Sequence, residues 1–483
     1  MSSEPHTSSP IKTGVADLII TGGDLLTMDD QRRIILNGAV AISGGQIVAV
    51  DTAQIIRQAY PGSRQLDATD CVVTPGFINT HQHITGDPLA RSCTPDDLAP
   101  GASIFEWAVP LNEAHLPADD GLAATLTLVN SLLNGVTTVI EAGTIGHLAP
   151  AAAAAQEVGI RAGLGVWGWD IEYGPFTAPT AETLARQTAT LDFLPAGELV
   201  EGWVCLVGHN LASDALLAGA AELSRSRRVR MTMHISPNSN DADAYLKRTG
   251  LRPLVHLQRL GVLGSHLLLA HAVWLDEEEV DLVKSTSTSI AYCPWAYLHH
   301  GQGVGRMGKH IDMHRAGVAI GLGCDAPNAN DGFDILDAAR LAVGIAKDSK
   351  IDPTCCSAYD GLEMATIGGA TAAGLGQRTG SLTVGKAADL VIHDATAAHW
   401  QPRGNPVQQL IWAAQGRTVR DVLVAGRQVV SNGRCTTVDQ DELSRRAQRH
   451  QSGVLSRAGL IIPQRWPVID GRVSRKIGIG AEI

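Results

Sequence analysis

The hydrophobic pattern changes rhythm twice along the chain. From residue 16 to 75 apolar residues come in short alternating runs, "ADLIITGG", "GAVAISGGQIVAVD" and "CVVTPGF", parted by Gly-Gly and Asp-rich turns, the texture of hairpin strands. It returns in "GSLTVGKAADLVIHD" (380–394) and "VRDVLVAGRQVVSNGR" (419–434), so both ends of the chain are expected to complete one small β-domain. Between them the apolar runs become continuous and each is followed by Ala and Leu at helical spacing. Counting "VVTPGFINTH", "TTVIEAG", "RAGLGVWGW", "GWVCLVG", "RMTMHIS", "LLLAHAV", "SIAYCP" and "VAIGLGCD", there are eight. Eight strand–helix units with polar residues gathered just after the strands predict a distorted (β/α)8 barrel, an α/β fold. The expected divisions are an N-terminal tail (1–15), a first β-sandwich part (16–74), the barrel (75–379), a second β-sandwich part (380–440) and a C-terminal tail (441–483). The Ala tract 149–155 reads as helix, and no repeat at a fixed period points to a solenoid or propeller.

Composition narrows the partners. With 45% hydrophobic and 18% charged residues among 483, the chain can bury one large core and a smaller one. A net charge of −11, with both signs interspersed, offers no basic stripe to nucleic acid and no polybasic patch to a membrane. The polar start "MSSEPHTSSPIKTG" has no apolar signal region, and no run of 18 apolar residues occurs, so a cytoplasmic protein is expected. The eight cysteines have no C-x-x-C spacing and read as reduced thiols, mostly small buried hydrophobes.

In a barrel, residues at the C-terminal ends of the strands share one mouth. His81 and His83 follow the first strand, His234 follows "RMTM", His271 ends "LLLAH", and Asp325 follows "VAIGLGC". Residues at i and i+2 of an extended segment face the same way, so His81 and His83 can reach one ion while Gln82 points elsewhere. Neutral imidazoles with one carboxylate suit zinc, or iron or cobalt, better than magnesium or calcium. A lone histidine is more often an ordinary core or surface residue; the weight comes from five polar residues at strand ends. His115, His147, His256, His266, His299, His300, His310 and His314 fit that pattern less well.

"TPGFINTHQH", "MHIS", "LLLAHAVWLDEEEVDLV", "AGVAIGLGCDAPNANDGFDILDAARLA" and "ATIGGATAAGLGQRTGSLTVGKAADLVIHD" together resemble the amidohydrolase superfamily, in particular its mononuclear branch of cytosine deaminase and s-triazine hydrolase (atrazine chlorohydrolase-like) relatives, from about residue 17 to 434. The resemblance implies that His81, His83, His234 and Asp325 bind a single divalent metal. It places His271 beside that metal, where it helps bind it or orients the attacking water. Such a metal lowers the pKa of its water from 15.7 towards ~7. Asp325 is then the base that takes the proton and passes it to a leaving nitrogen. Asp87 and Arg91 fall in the first loop, where relatives often have substrate-facing residues, and Trp107 lies in the next segment; His209, Trp169 and Trp295 follow the fourth, third and seventh strands and are further substrate-binding candidates. The indoles could equally pack beneath loops. Cys324, beside Asp325, has no general-base partner and is not a candidate nucleophile.

One departure matters. Deaminases of this family carry His-x-x-Glu at the fifth strand, where the Glu shuttles a proton; here "HISPNSND" puts Pro237 in that place. "GWVCLVGHNLASD" also lacks the bridging Lys or Glu of binuclear relatives, so one metal is expected. With the shuttle gone, the favoured expectation is hydrolysis of a non-peptide C–N bond in an amide, urea or carbamate, similar to the hydrolases of phenylurea and thiocarbamate herbicides. The alternative is an aminohydrolase or chlorohydrolase of an aromatic N-heterocycle. A barrel retaining its metal only as a relic is disfavoured, since a structural zinc closes its fourth position. The partner is a small molecule, and relatives imply a homo-oligomer.

Overall fold

The computed structural model describes residues 13–99, 101–171, 174–414, 418–467 and 469. The first twelve residues, Tyr173 and the terminal "RKIGIGAEI" lie outside them.

The alternating runs near both ends form a single nine-stranded mixed sheet. From the N-terminal side come β1 (Leu18–Leu26), β2 (Ile34–Ser43), β3 (Gln46–Thr52), β4 (Gln65–Asp67) and β5 (Cys71–Pro75). Inward residues Leu18, Ile20, Val40, Ile42, Val73, Leu390, Ile392 and Leu423 make one core. The opposite positions Ile19, Ala39 and Ala41 pack beneath helix Ala53–Ala59 through Ile56. This is the two-residue period of a sheet covered on both faces.

The barrel follows directly, with parallel strands β6 (Phe77–Gln82), β7 (Val136–Glu141), β8 (Arg161–Leu164), β9 (Val200–Gly202), β10 (Val204–Gly208), β11 (Met231–Ile235), β12 (Leu267–His271), β13 (Ser289–Tyr292) and β14 (Ile320–Leu322). β6 to β9 form one ladder and β10 to β14 another. β9 and β10 are one strand interrupted at Trp203, whose amide still donates to the Leu164 carbonyl. A parallel bridge from Gln82 to Asp325 closes β14 onto β6, so eight strands make a closed α/β barrel. All of these strands are buried along their length apart from Glu201, as expected when a helix layer covers the outside. The alanine tract lies in helix Leu148–Val158, which ends on Gly159 at φ +78°, a left-handed cap.

The sheet is completed by β15 (Leu390–Asp394), β16 (Val419–Val424), β17 (Arg427–Ser431) and β18 (Arg434–Cys435), with β15 pairing against β5. Barrel and sheet are tied by a buried ion pair: Arg161 at the start of β8 donates through Nε and Nη2 to Asp389, at 2.9–3.2 Å. Helix Gln440–Arg457 then packs against helix Pro117–Leu133 of the same chain, anchored by His450 Nδ1 to Asp119 at 3.0 Å and by Arg457 to Asp119. Beyond it, Ile462–Trp466 run as a strap across the barrel mouth, with Arg465 paired to Asp97. No helix of the described residues is long and apolar enough to cross a membrane.

Candidate active site

Strand ends deliver the site. The ligand atoms of His81, His234 and His271 lie within 4.8 Å of one another, and so do those of His81, His83 and Asp325. Asp325 Oδ1 sits 3.3 Å from His83 Nε2 and 3.6 Å from His81 Nε2, and its Oδ2 is 4.0 Å from His271 Nδ1. The backbone bends to make this possible: His271 and Asp325 adopt φ of +78° and +66°, conformations that cost non-glycine residues energy and persist where the surroundings impose them.

Several observations fit a single divalent cation. His234 Nδ1 is 2.7 Å from the Val207 carbonyl, which can only accept, so Nδ1 carries the proton and Nε2 presents a lone pair. That Nε2 lies 3.3 Å from His83 Nε2, two basic nitrogens converging on one point. His81 Nε2 and His271 Nδ1 are buried without a hydrogen-bond partner. Burial holds His81, His234 and His271 below the ordinary imidazole range, in the neutral form that ligates metals. At His83 burial is outweighed by Asp325, and its pKa rises. For Asp325 itself, burial is overcome by the adjacent His81 and His83 imidazoles, and the carboxyl is held well below its usual value. The site is a single divalent-metal centre.

Further residues orient this set, none of them evident from local spacing. Thr144 Oγ1 meets His83 Nδ1 at 2.9 Å and is held by Glu141, which also accepts from the amides of Gly143 and Thr144. Gln82 donates to the Asp325 carbonyl, and Asn79 Nδ2 donates to Gln82 Oε1 at 2.9 Å. His310 donates to the His271 carbonyl at 2.6 Å. Cys293 Sγ reaches His271 and Asp325 closely enough to form a third ligand-like group, and burial pushes its thiol well above the ordinary range.

The remaining sequence candidates separate. A cavity of about 940 Å³ opens among the loops that follow β6, β13 and β14, lined by Asp87, Trp295, His299, Asn328 and, from the strap, Ile462 and Trp466. Asp87 and Trp295 therefore face a pocket. His209, at φ +48° after β10, places its ring 4.9 Å from that of His234, and burial lowers its pKa to about 4. Gly208 makes this approach possible, since a Cβ there would lie 2.0 Å from the His234 carbonyl oxygen. Arg91 is committed elsewhere: it pairs with Asp331 and stacks on Phe333 at 5.1 Å. Trp107 is buried in the main core, and Trp169 is packed with Trp167, Val109, Val207 and Leu211 while donating to Thr177. Neither indole lines the cavity. Pro237 is buried, and the polar residues after it do not replace a glutamate. Asn238 caps helix Ser239–Thr249, Asn240 is exposed, and Asp241 accepts from the Ser236 amide at 2.6 Å.

Residues 72–429 match the profile of the amidohydrolase family, and residues 38–62 that of an imidazolonepropionase-like composite domain of bacteria. The chain is 31% identical to a 5-methylthioadenosine/S-adenosylhomocysteine deaminase of Syntrophobacter fumaroxidans, over 90% of this chain and 97% of that protein. It is 33% identical to the protein of the same description from Natronomonas pharaonis, over 92% and 99%. Among solved structures, an adenosine deaminase from Xanthomonas campestris with bound zinc superposes with a TM-score of 0.87 at 27% identity, covering 92% of this chain and all of that one. Atrazine chlorohydrolase from Arthrobacter aurescens, also with zinc, shares the fold with a TM-score of 0.83 at 24% identity, over 90% of this chain and 100% of that one.

Proposed function

The chain belongs to the amidohydrolase family and is a metal-dependent hydrolase of C–N bonds, and from that premise we propose that it is an aminohydrolase of a nitrogen heterocycle, replacing an exocyclic amino group by oxygen. The observation that carries this is the convergence of His81, His83, His234, His271 and Asp325 on one point at the mouth of a barrel. Relatives matching over nine-tenths of the chain, described as deaminases of 5-methylthioadenosine and S-adenosylhomocysteine, support a 6-aminopurine nucleoside as the substrate class. This displaces the amide, urea or carbamate expectation from first place.

Bound between these ligands, a divalent ion supplies a water of lowered pKa and a Lewis acid. Asp325 takes the proton of the attacking water and returns it to the departing nitrogen. The shell of Thr144, Gln82 and His310 keeps the ligands aimed while this happens. His209, kept neutral by burial, offers a hydrogen bond to the substrate, and Trp295 a flat apolar wall.

Pro237 favours a second reading, attack on an amide, urea or carbamate carbonyl, which needs one acid–base group instead of two. Zinc-loaded protein incubated with 5-methylthioadenosine, S-adenosylhomocysteine and adenosine, alongside simple amides, ureas and carbamates, decides between them. Ammonia release from the purines, abolished by chelation, is the expected result. Amine release from the carbonyl compounds alone overturns the deaminase reading.

A further inference from the structure

A deaminase needs a second proton carrier, because the ring nitrogen next to the attacked carbon must be protonated as its double bond opens. Pro237 cannot do this. Among the described residues, three buried or partly buried carboxylates near the mouth are committed elsewhere. Both oxygens of Glu141 accept from Gly143 and Thr144. Asp241 turns away to the Ser236 amide. Asp331 is bound by Arg91 and Ser92.

Asp87 is different. It is only 4% exposed, its Oδ1 has no hydrogen-bond partner, and it lines the cavity shared with Trp295 and Asn328. Its position is imposed by Gly86, at φ +74°, where a Cβ would lie 2.3 Å from Asn112 Nδ2; the chain turns there immediately after the metal histidines and starts the short helix Asp87–Ala90. A buried carboxyl oxygen without a partner is expensive to keep unless it is used. We propose that Asp87 is the second acid–base residue of this enzyme, serving the ring nitrogen from the first barrel loop.

The step rests on the aminohydrolase reading and balances as follows. The water oxygen bonds to the carbon that bears the amino group, one water proton passes to Asp325, and the C=N π pair moves to the ring nitrogen, which takes the proton of neutral Asp87. The C–N bond to the amino group then breaks. The nitrogen leaves with its electron pair and the proton from Asp325, as ammonia, while the hydroxyl proton goes to Asp87 and the carbonyl forms. Both carboxyls end as they began. The groups that act on Asp87 are His83 just after β6, His115 of the turn before helix Pro117–Leu133, and Asp325 and Asp331 after β14. Burial outweighs the two histidines, with the two aspartates adding to it, and pushes Asp87 up to about 7, so both of its protonation states are reachable near neutral pH.

The test compares zinc-loaded wild type with Asp87→Asn and Asp87→Glu, reading zinc per chain, the pH profile on 5-methylthioadenosine and adenosine, and the infrared band of a protonated carboxyl between pH 8 and 5. The proposal expects Asp87→Asn to keep about one zinc per chain, lose on the order of 10²-fold or more in kcat, lose one limb of the pH profile, and lack a carboxyl band that wild type gains on acidification. Asp87→Glu should recover part of the rate. Purine turnover by wild type with no such band, or Asp87→Asn keeping more than about a third of kcat, overturns the role of Asp87 alone. A titrating band without turnover of any aminoheterocycle overturns the aminohydrolase reading, and this role with it.

Discussion

At the scale of single residues, the ligands and the base should be separable. His81→Ala removes a proposed ligand whose Nε2 has no hydrogen-bond partner, so metal and activity are expected to fall together; elemental analysis against turnover checks this, and an active metal-free variant would end the metal mechanism. Asp325→Asn keeps an oxygen at the ligand position but removes the base, so it should lose at least ~10²-fold in rate while zinc content falls far less. Asp241 gives a pH signature unconnected with turnover. Burial raises its carboxyl from 3.8 to about 7, so between those values the folded protein holds a proton that the unfolded chain has released. Its contribution therefore favours the folded state at acid pH and is lost as pH rises through about 7. Asp241→Asn should gain stability relative to wild type between pH 5 and 8, read as a rising difference in urea midpoint. A constant difference across that range contradicts it.

Elements explain what the sequence could and could not disclose. Continuous apolar runs ending in His or Asp locate barrel strands and their tips because period and burial are local properties, which is why His81, His83, His234, His271 and Asp325 could be picked out together. The indoles could not be sorted that way. Trp295 faces the cavity and Trp169 the packing beneath a loop, yet both simply follow strands. Thr144 on His83 and Gln82 on Asp325 likewise depend on neighbouring strands coming into register, and Gln82 meets a residue 243 positions away. The strap was equally hidden, since nothing in "IIPQRW" marks a pocket wall. Ending the chain after Leu460 should leave zinc content and kcat near wild type and raise KM severalfold, because Ile462 and Trp466 line the cavity but do not touch the ligands. An unchanged KM would show that the strap is not part of the substrate pocket.

The whole molecule depends on joining a barrel to a sheet made from both ends of the chain. Arg161 and Asp389, both buried, make a charged link between them, and Asp389 also accepts from the Ala425 amide. Removing one partner strands the other charge in the interior, so Arg161→Leu should cost about 3–5 kcal/mol of stability, measured by denaturant unfolding. The exposed pairs, such as Arg449–Glu442, should contribute little by comparison.

The pocket wall has a further consequence, for the order of events in folding. Arg465 and Asp97 meet across 368 positions of sequence, and closing so long a loop pays only after the barrel beneath it exists. The metal ligands need the barrel alone; the cavity needs the chain's far end laid over it. During refolding, zinc capture should therefore precede the recovery of substrate affinity, leaving a transient species that is already metalled and still open.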